Sequence, residues 1–200
     1  MKEKYSTNEE YFRNLDAYED LDAHKTAVLN GIEQKDRALV EEAIKVVEQY
    51  HNTPRTLYKG NYNRHPVRVA RVLIEEFGVK NTNAVLIALC HDLGEWTKYD
   101  VKDLEKKFGI DVKNGVDTLT WDQNGTWESF FQKIISIGNS DLMKVKMADK
   151  LDNNRGAVFS SDPGEKKKAR DKTELILRPF VEKQFPEYWG TFEKSLQALA

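Results

Sequence analysis

Apolar residues recur at intervals of three and four along this chain, and the strict alternation of a half-buried strand is scarce. Leu39, Ala43, Val46, Val47 and Tyr50 make one stripe. Val67, Ala70, Ile74 and Phe77 make a second, and Phe130, Phe131, Ile134 and Ile135 a third. A pattern of this period buries one face of a helix against other helices, so an all-α fold is expected. The 11 Gly and 5 Pro act as punctuation. Gly78, Gly109 and Gly138 read as helix stops, and Pro66 and Pro163 as first-turn residues. Pro179 is expected to kink a long helix. These marks divide the chain into about ten helices in a single domain, and 200 residues suffice for one sizeable core.

Individual boundaries follow from capping chemistry. Thr7-Asn8-Glu9-Glu10 reads as a capping box, and Asp36 as the cap of the helix carrying Leu39. Asn81 or Asn83 opens a helix expected to run unbroken from Ala84 to about Trp96. Ser140 is expected to cap a helix ending near Asn153. The segment His51–Arg64, with Pro54, Gly60 and three Asn, has loop chemistry.

Composition narrows the function. With 31 Lys+Arg against 33 Asp+Glu the net charge is −2, so no strong basic field exists to hold duplex nucleic acid. A single cysteine excludes an intramolecular disulfide framework and a multi-cysteine zinc site. Cys90 ends the apolar run Ala84–Cys90 and reads as a small buried hydrophobe. That run is far too short to cross a membrane, and no signal peptide is visible. A cytoplasmic protein with no membrane partner is expected.

The sharpest anomaly is His91-Asp92, placed directly after Val-Leu-Ile-Ala-Leu-Cys. A carboxylate in so apolar a helix needs a cation or several donors. It either caps a turn or pairs with an arginine, or it binds a metal. His65 lies at a helix start, and Asp149 lies in Lys-Met-Ala-Asp-Lys-Leu-Asp-Asn among Val145, Ala148 and Leu151. Alone, His65 reads as a surface histidine and Asp149 as a partner of Lys146 or Lys150. Together, two His and two Asp suit a divalent transition metal.

An isolated His, then His-Asp, then a distant Asp in an all-α chain resembles the HD-domain metal-dependent phosphohydrolases. Tyr-Asn-Arg-His-Pro-Val-Arg-Val-Ala, Leu-Ile-Ala-Leu-Cys-His-Asp and Val-Lys-Met-Ala-Asp-Lys-Leu-Asp-Asn are similar to the hydrolase domain of RelA/SpoT-type (p)ppGpp hydrolases. The small single-domain alarmone hydrolases match the chain in size. The resemblance covers roughly residues 38–181 and offers no counterpart for residues 1–35. It divides the chain into a helical extension, 1–35, and an HD domain, 36–200.

The resemblance implies four metal ligands, His65, His91, Asp92 and Asp149, with Mn²⁺ the usual ion. It implies that Glu95 is the general base or proton shuttle, four residues after His91 on one helix face. The family's next residue is Asp; here it is Trp96, which cannot transfer protons, and Asp100 is the nearby alternative. Nucleotide contacts are implied for Arg55, Tyr62 and Asn153, with Lys59 an alternative in the same loop. Arg155 reads either as a phosphate fork or as solvated, His51 as structural, and the stretch Lys166 to Lys172 as a solvated helix face.

The expected activity is therefore removal of the 3′-pyrophosphate from (p)ppGpp. Two alternatives stand beside it: hydrolysis of another nucleotide, and a catalytically silent module that binds metal and nucleotide.

Overall fold

The computed structural model describes residues 14–53, 61–121 and 125–199. Among these residues the regular structure is helical, as expected, and the chain is all-α. The Thr7–Glu10 capping box, Arg55 and Lys59 lie outside the described residues.

Three helices form the centre. They are α4 (Arg64–Glu75), α5 (Thr82–Cys90) and α10 (Ser140–Val158). Helix α4 packs on both of the others and on α2 (Leu21–Asn30); α5 also packs on α3 (Arg37–Tyr50) and α8 (Ile110–Leu119). The remaining helices are α1 (Leu15–Tyr18), α6 (Leu93–Trp96), α7 (Lys102–Phe108), α9 (Trp127–Ser136), α11 (Pro163–Lys172), α12 (Arg178–Gln184) and α13 (Trp189–Gln197). Val28 and Ile32, from the first 35 residues, belong to the same continuous core as Leu73, Leu86 and Met147. No described helix is long and apolar enough to cross a membrane.

Several boundaries differ from those expected, each for a local reason. Asp36 does precede α3, but its carboxylate accepts the hydroxyl of Thr82 at 2.8 Å instead of capping the helix. The helix expected from Ala84 to Trp96 is two: α5 ends at Cys90, His91 and Asp92 form a turn, and α6 starts at Leu93. The cap of α10 is Asn139, whose side chain accepts from the backbone N–H of Asp141 and Leu142 at 3.0 and 3.2 Å. Helix α10 also continues to Val158, past Asn153. It can do so because Asn154 and Arg155 are buried and bonded: Asn154 to Ser195 and Thr173, Arg155 to Glu76. Before Pro179 the chain makes a wide π turn over Thr173–Leu177, the irregularity that the ring of a mid-helix proline demands.

Helices α8 and α5 pack tightly at Gly115. A Cβ built on Gly115 would lie 2.3 Å from Cδ1 and 2.8 Å from Cγ1 of Ile87. Gly115→Ala improves helix propensity by up to about 1 kcal/mol, whereas overpacking costs about 1–3 kcal/mol. The expected result is a lower melting temperature. Ile87→Val, which removes Cδ1, should cost less in the Gly115→Ala background than in the wild type, and a thermal-denaturation double-mutant cycle measures the difference.

Candidate functional site

Helix α5 delivers an apolar run into the core, and the turn that follows it turns two polar side chains toward α4 and α10. The turn is held by His91, whose Nδ1 donates to the carbonyl of Ala88 at 2.8 Å. A carbonyl only accepts, so the proton is on Nδ1 and Nε2 keeps its lone pair. On α4, His65 is fixed the same way: Nδ1 donates to a carboxylate oxygen of Asp152 at 2.6 Å. Both Nε2 atoms are buried and without a hydrogen-bond partner.

The two lone pairs face two carboxylates. Nε2 of His65 lies 3.5 Å from Asp92 and 3.4 Å from Asp149; Nε2 of His91 lies 3.2 and 3.8 Å from the same two side chains. Ligand atoms of His65, His91 and Asp92 all lie within 4.8 Å of one another, and Asp149 approaches them from α10. Acceptors pointing at acceptors in a dry site repel unless something positive lies between them. The donor set, two imidazoles and two carboxylates, fits a borderline divalent cation.

The titration behaviour carries the same signature. Burial would raise the Asp92 carboxyl, but His91 and His65 overcome it and hold the group well below the usual range. Burial would lower His91, but Asp92 and Asp149 draw it upward. The cluster attracts positive charge, and a proton and a metal compete for it. Next to it, burial pushes the Cys90 thiol up to about 12, and the group that could hold a metal is His65, His91 and Asp92, without Cys90.

A pocket of about 750 Å³ opens beside the cluster. Asp92, Glu95 and Asp149 border it, as do Lys146, Lys150 and Lys172 and three tryptophans, Trp96, Trp121 and Trp127. Glu95 sits beyond the break in the helix. One of its oxygens accepts the backbone N–H of Trp121 at 2.5 Å, and burial with the nearby Asp92 charge raises its pKa. Trp121 and Trp127 stack at 4.1 Å, and the amine of Lys172 lies 4.0 Å from the Trp127 ring centroid. Trp96 is 64% exposed at the pocket rim.

The residues singled out in the sequence have diverse fates here. His65, His91, Asp92 and Asp149 converge. Tyr62 and Asn153 border the pocket, each bonded to the cluster: Tyr62 donates its hydroxyl to Asp92, and Asn153 its amide to Asp149, both at 2.5 Å. Asp100 is exposed and caps Lys102, so it does not replace the missing acid. Arg155 is neither solvated nor at a phosphate site; it grips Glu76 with two bonds of 2.6 and 2.8 Å. His51 is buried and stacks on Tyr62 at 4.8 Å. Lys172 is not part of a solvated face, because it bends over Trp127.

Sequence reasoning missed Lys146 and Lys150 as pocket residues, along with Asp152. The Asp149 carboxylate holds Lys146 at 2.9 Å and Lys150 at 3.2 Å, so its pairing with lysines and its approach to the histidines are both real. A signal existed: 146, 149, 150 and 153 follow the three-four-seven spacing of one helix face. Trp121 and Trp127 carried no such signal in the sequence.

No family model matches the chain. A guanosine-3′,5′-bis(diphosphate) 3′-pyrophosphohydrolase MESH1 of Xenopus tropicalis is 34% identical over 127 residues, covering 60% of this chain and 70% of that protein. The MESH1 of Drosophila melanogaster is 31% identical over 116 residues, covering 56% of this chain and 64% of that one. A GTP pyrophosphokinase of Streptomyces coelicolor is 25% identical over 143 residues, but these cover only 17% of its length. Among solved structures, a metazoan orthologue of SpoT described as hydrolysing ppGpp superposes with a TM-score of 0.57 at 24% identity. It covers 81% of this chain and 85% of its own, and so shares the fold.

The lysines impose a pH dependence. Burial, then the charges of Lys150 and Lys168, lower Lys172 from 10.5 to about 8. Between pH 8 and 10.5 the unfolded chain therefore binds a proton that the folded chain has lost. The contribution of this group to stability rises with pH across that window. Lysine side-chain NMR should show Lys172 titrating near pH 8, and Lys150→Gln should move it upward.

Proposed function

Because the chain belongs to the family of the MESH1 guanosine-3′,5′-bis(diphosphate) 3′-pyrophosphohydrolases, we propose that it is a metal-dependent hydrolase that removes the 3′-pyrophosphate from (p)ppGpp. The observation that carries this reading is the pair of orphaned, buried Nε2 atoms facing two carboxylates at the edge of a nucleotide-sized pocket. His65, His91, Asp92 and Asp149 would hold one divalent cation, Mn²⁺ being the expected ion. When bound, such an ion acidifies a water and draws charge from a phosphoryl oxygen.

The chain's own residues do the rest. Glu95, its pKa raised and one oxygen tied to Trp121, takes the proton of the attacking water as the oxygen–phosphorus bond forms. The bond from phosphorus to the 3′-oxygen breaks, Glu95 returns the proton to that departing oxygen to leave a 3′-hydroxyl, and pyrophosphate is released. Lys146, Lys150 and Lys172 give the pocket a cationic wall suited to phosphates. Tyr62 and Asn153 hold Asp92 and Asp149 in place and border the space left for the nucleotide, and Arg55 is assigned to the base. The division into an extension, 1–35, and a catalytic domain, 36–200, and a cytoplasmic location, belong to the same proposal.

A second reading is favoured by Trp96. Where the resemblance calls for an acid, this chain puts an exposed indole at the pocket rim. An indole stacks on a base and excludes water but moves no proton, so the site suits a nucleotide other than ppGpp as well.

Three measurements test these readings. Chelation should lower the melting temperature and Mn²⁺ restore it, since a ligand at 100 times its dissociation constant stabilises the native state by about 2.7 kcal/mol. An unchanged melt after verified metal removal refutes the metal centre. Glu95→Gln should reduce pyrophosphate release from ppGpp about 10²–10⁴-fold with metal content intact. Trp96→Asp should raise ppGpp turnover if the indole weakens this activity, and lower turnover of the true substrate if the indole serves another nucleotide.

A further inference from the structure

Behind the metal cluster, on the side away from the pocket, lies a second buried polar group to which the reaction assigns nothing. Tyr18, Arg68 and Asp152 are each 0% exposed. The Tyr18 hydroxyl lies 3.0 Å from both a carboxylate oxygen and the backbone carbonyl of Asp152. Arg68 donates Nε to the same carboxylate oxygen at 2.8 Å and Nη2 to the other at 3.3 Å. Its guanidinium lies 3.6 Å from the Tyr18 ring centroid. The second carboxylate oxygen is the one that receives Nδ1–H of His65.

Tyr18 is itself clamped. Its backbone carbonyl accepts Nη1 of Arg68 at 3.0 Å and Nε2–H of His24 at 3.0 Å. Burial, with the charges of Arg68 and Arg71, lowers His24 to about 3, so this histidine is neutral and its ring orientation is set by these bonds. Glu19 reaches Arg68 at 3.3 Å and Arg64 at 3.0 Å. All of Tyr18, Glu19 and His24 come from the first 35 residues, the stretch for which the sequence resemblance offers no counterpart.

We propose that α1 and α2 are a built-in part of the metal centre: Tyr18, together with Arg68, holds Asp152, and Asp152 fixes His65 with Nδ1 protonated and Nε2 free for the cation. A carboxylate behind a ligating imidazole sets its tautomer, its ring angle and its basicity. The geometry supplies every link in that relay. Asp152 and Tyr18 are thus positioning residues that touch neither substrate nor metal. The inference rests on the metal reading above.

The test uses the full chain, Mn²⁺ alone and no substrate. Tyr18→Phe keeps the ring under Arg68 and removes the hydroxyl. Asp152→Asn removes the carboxylate charge. Competition against a fluorescent chelator should give Mn²⁺ binding about 10-fold weaker for Tyr18→Phe and about 10–100-fold weaker for Asp152→Asn. In metal-free protein, ¹⁵N NMR should show His65 protonated at Nδ1 in the wild type and a mixture of tautomers in Asp152→Asn.

A purely structural role for the group predicts lower melting temperatures with Mn²⁺ affinity and the His65 tautomer unchanged, and that result overturns the proposal. Tyr18→Phe with wild-type affinity overturns the part played by the N-terminal helices even if Asp152→Asn is impaired. If Asp152→Asn does not fold, Tyr18→Phe decides alone. A wild-type chain that binds no Mn²⁺ refutes the metal reading instead, while the tautomer measurement still decides whether Asp152 fixes His65.

Discussion

Three carboxylates, Asp92, Asp149 and Asp152, are buried within one helical core, and each must be met by positive charge or donors from the protein. Asp152 is met by Arg68 and His65, Asp149 by Lys146 and Lys150, and Asp92 by the Tyr62 hydroxyl. Removing one partner from such a set leaves an uncompensated charge in a dry place, a loss of about 3–5 kcal/mol. The compensation is also incomplete in one place only among these groups, where the two imidazole nitrogens look inward at Asp92 and Asp149. Structure and chemistry thus meet in the same atoms.

Helix α10 makes this possible. It is buried along most of its length although its sequence is rich in charge. Its polar residues do not form a solvated face. One set, Lys146, Asp149, Lys150 and Asn153, faces the pocket. Another, Asp152, Asn154 and Arg155, is spent on α4, α13 and the end of α4 at Glu76. One helix therefore supplies a candidate metal ligand, the carboxylate bonded to the imidazole of another candidate and two pocket-facing amines, in fixed register.

This explains what the sequence revealed. The helical period and the glycine stops were legible because they depend on local chemistry, as the positive φ of 66°, 92° and 69° at Gly78, Gly109 and Gly138 attests. His91-Asp92 was legible because its neighbours are apolar. The end of α10 was not, because Asp-Asn-Asn-Arg has the local character of a helix terminus and only packing against Ser195 and Glu76 extends it. Asp152 was hidden for the same reason: nothing adjacent to it in sequence distinguishes a charge facing Arg68 from one facing water. The break at His91 was hidden because the preceding run favours continued helix, whereas the turn is held by the His91 side chain on the Ala88 carbonyl.

Cys90, one residue before the cluster, has a consequence of a different kind. Sulfur reacts with oxidants and with soft metals as the thiolate, and this thiol is fully enclosed with its proton held to about pH 12. A thiol so enclosed and so little ionised is a poor nucleophile toward peroxide and electrophiles. The cysteine beside the centre is thus sealed by the same apolar packing that carries the His91-Asp92 turn.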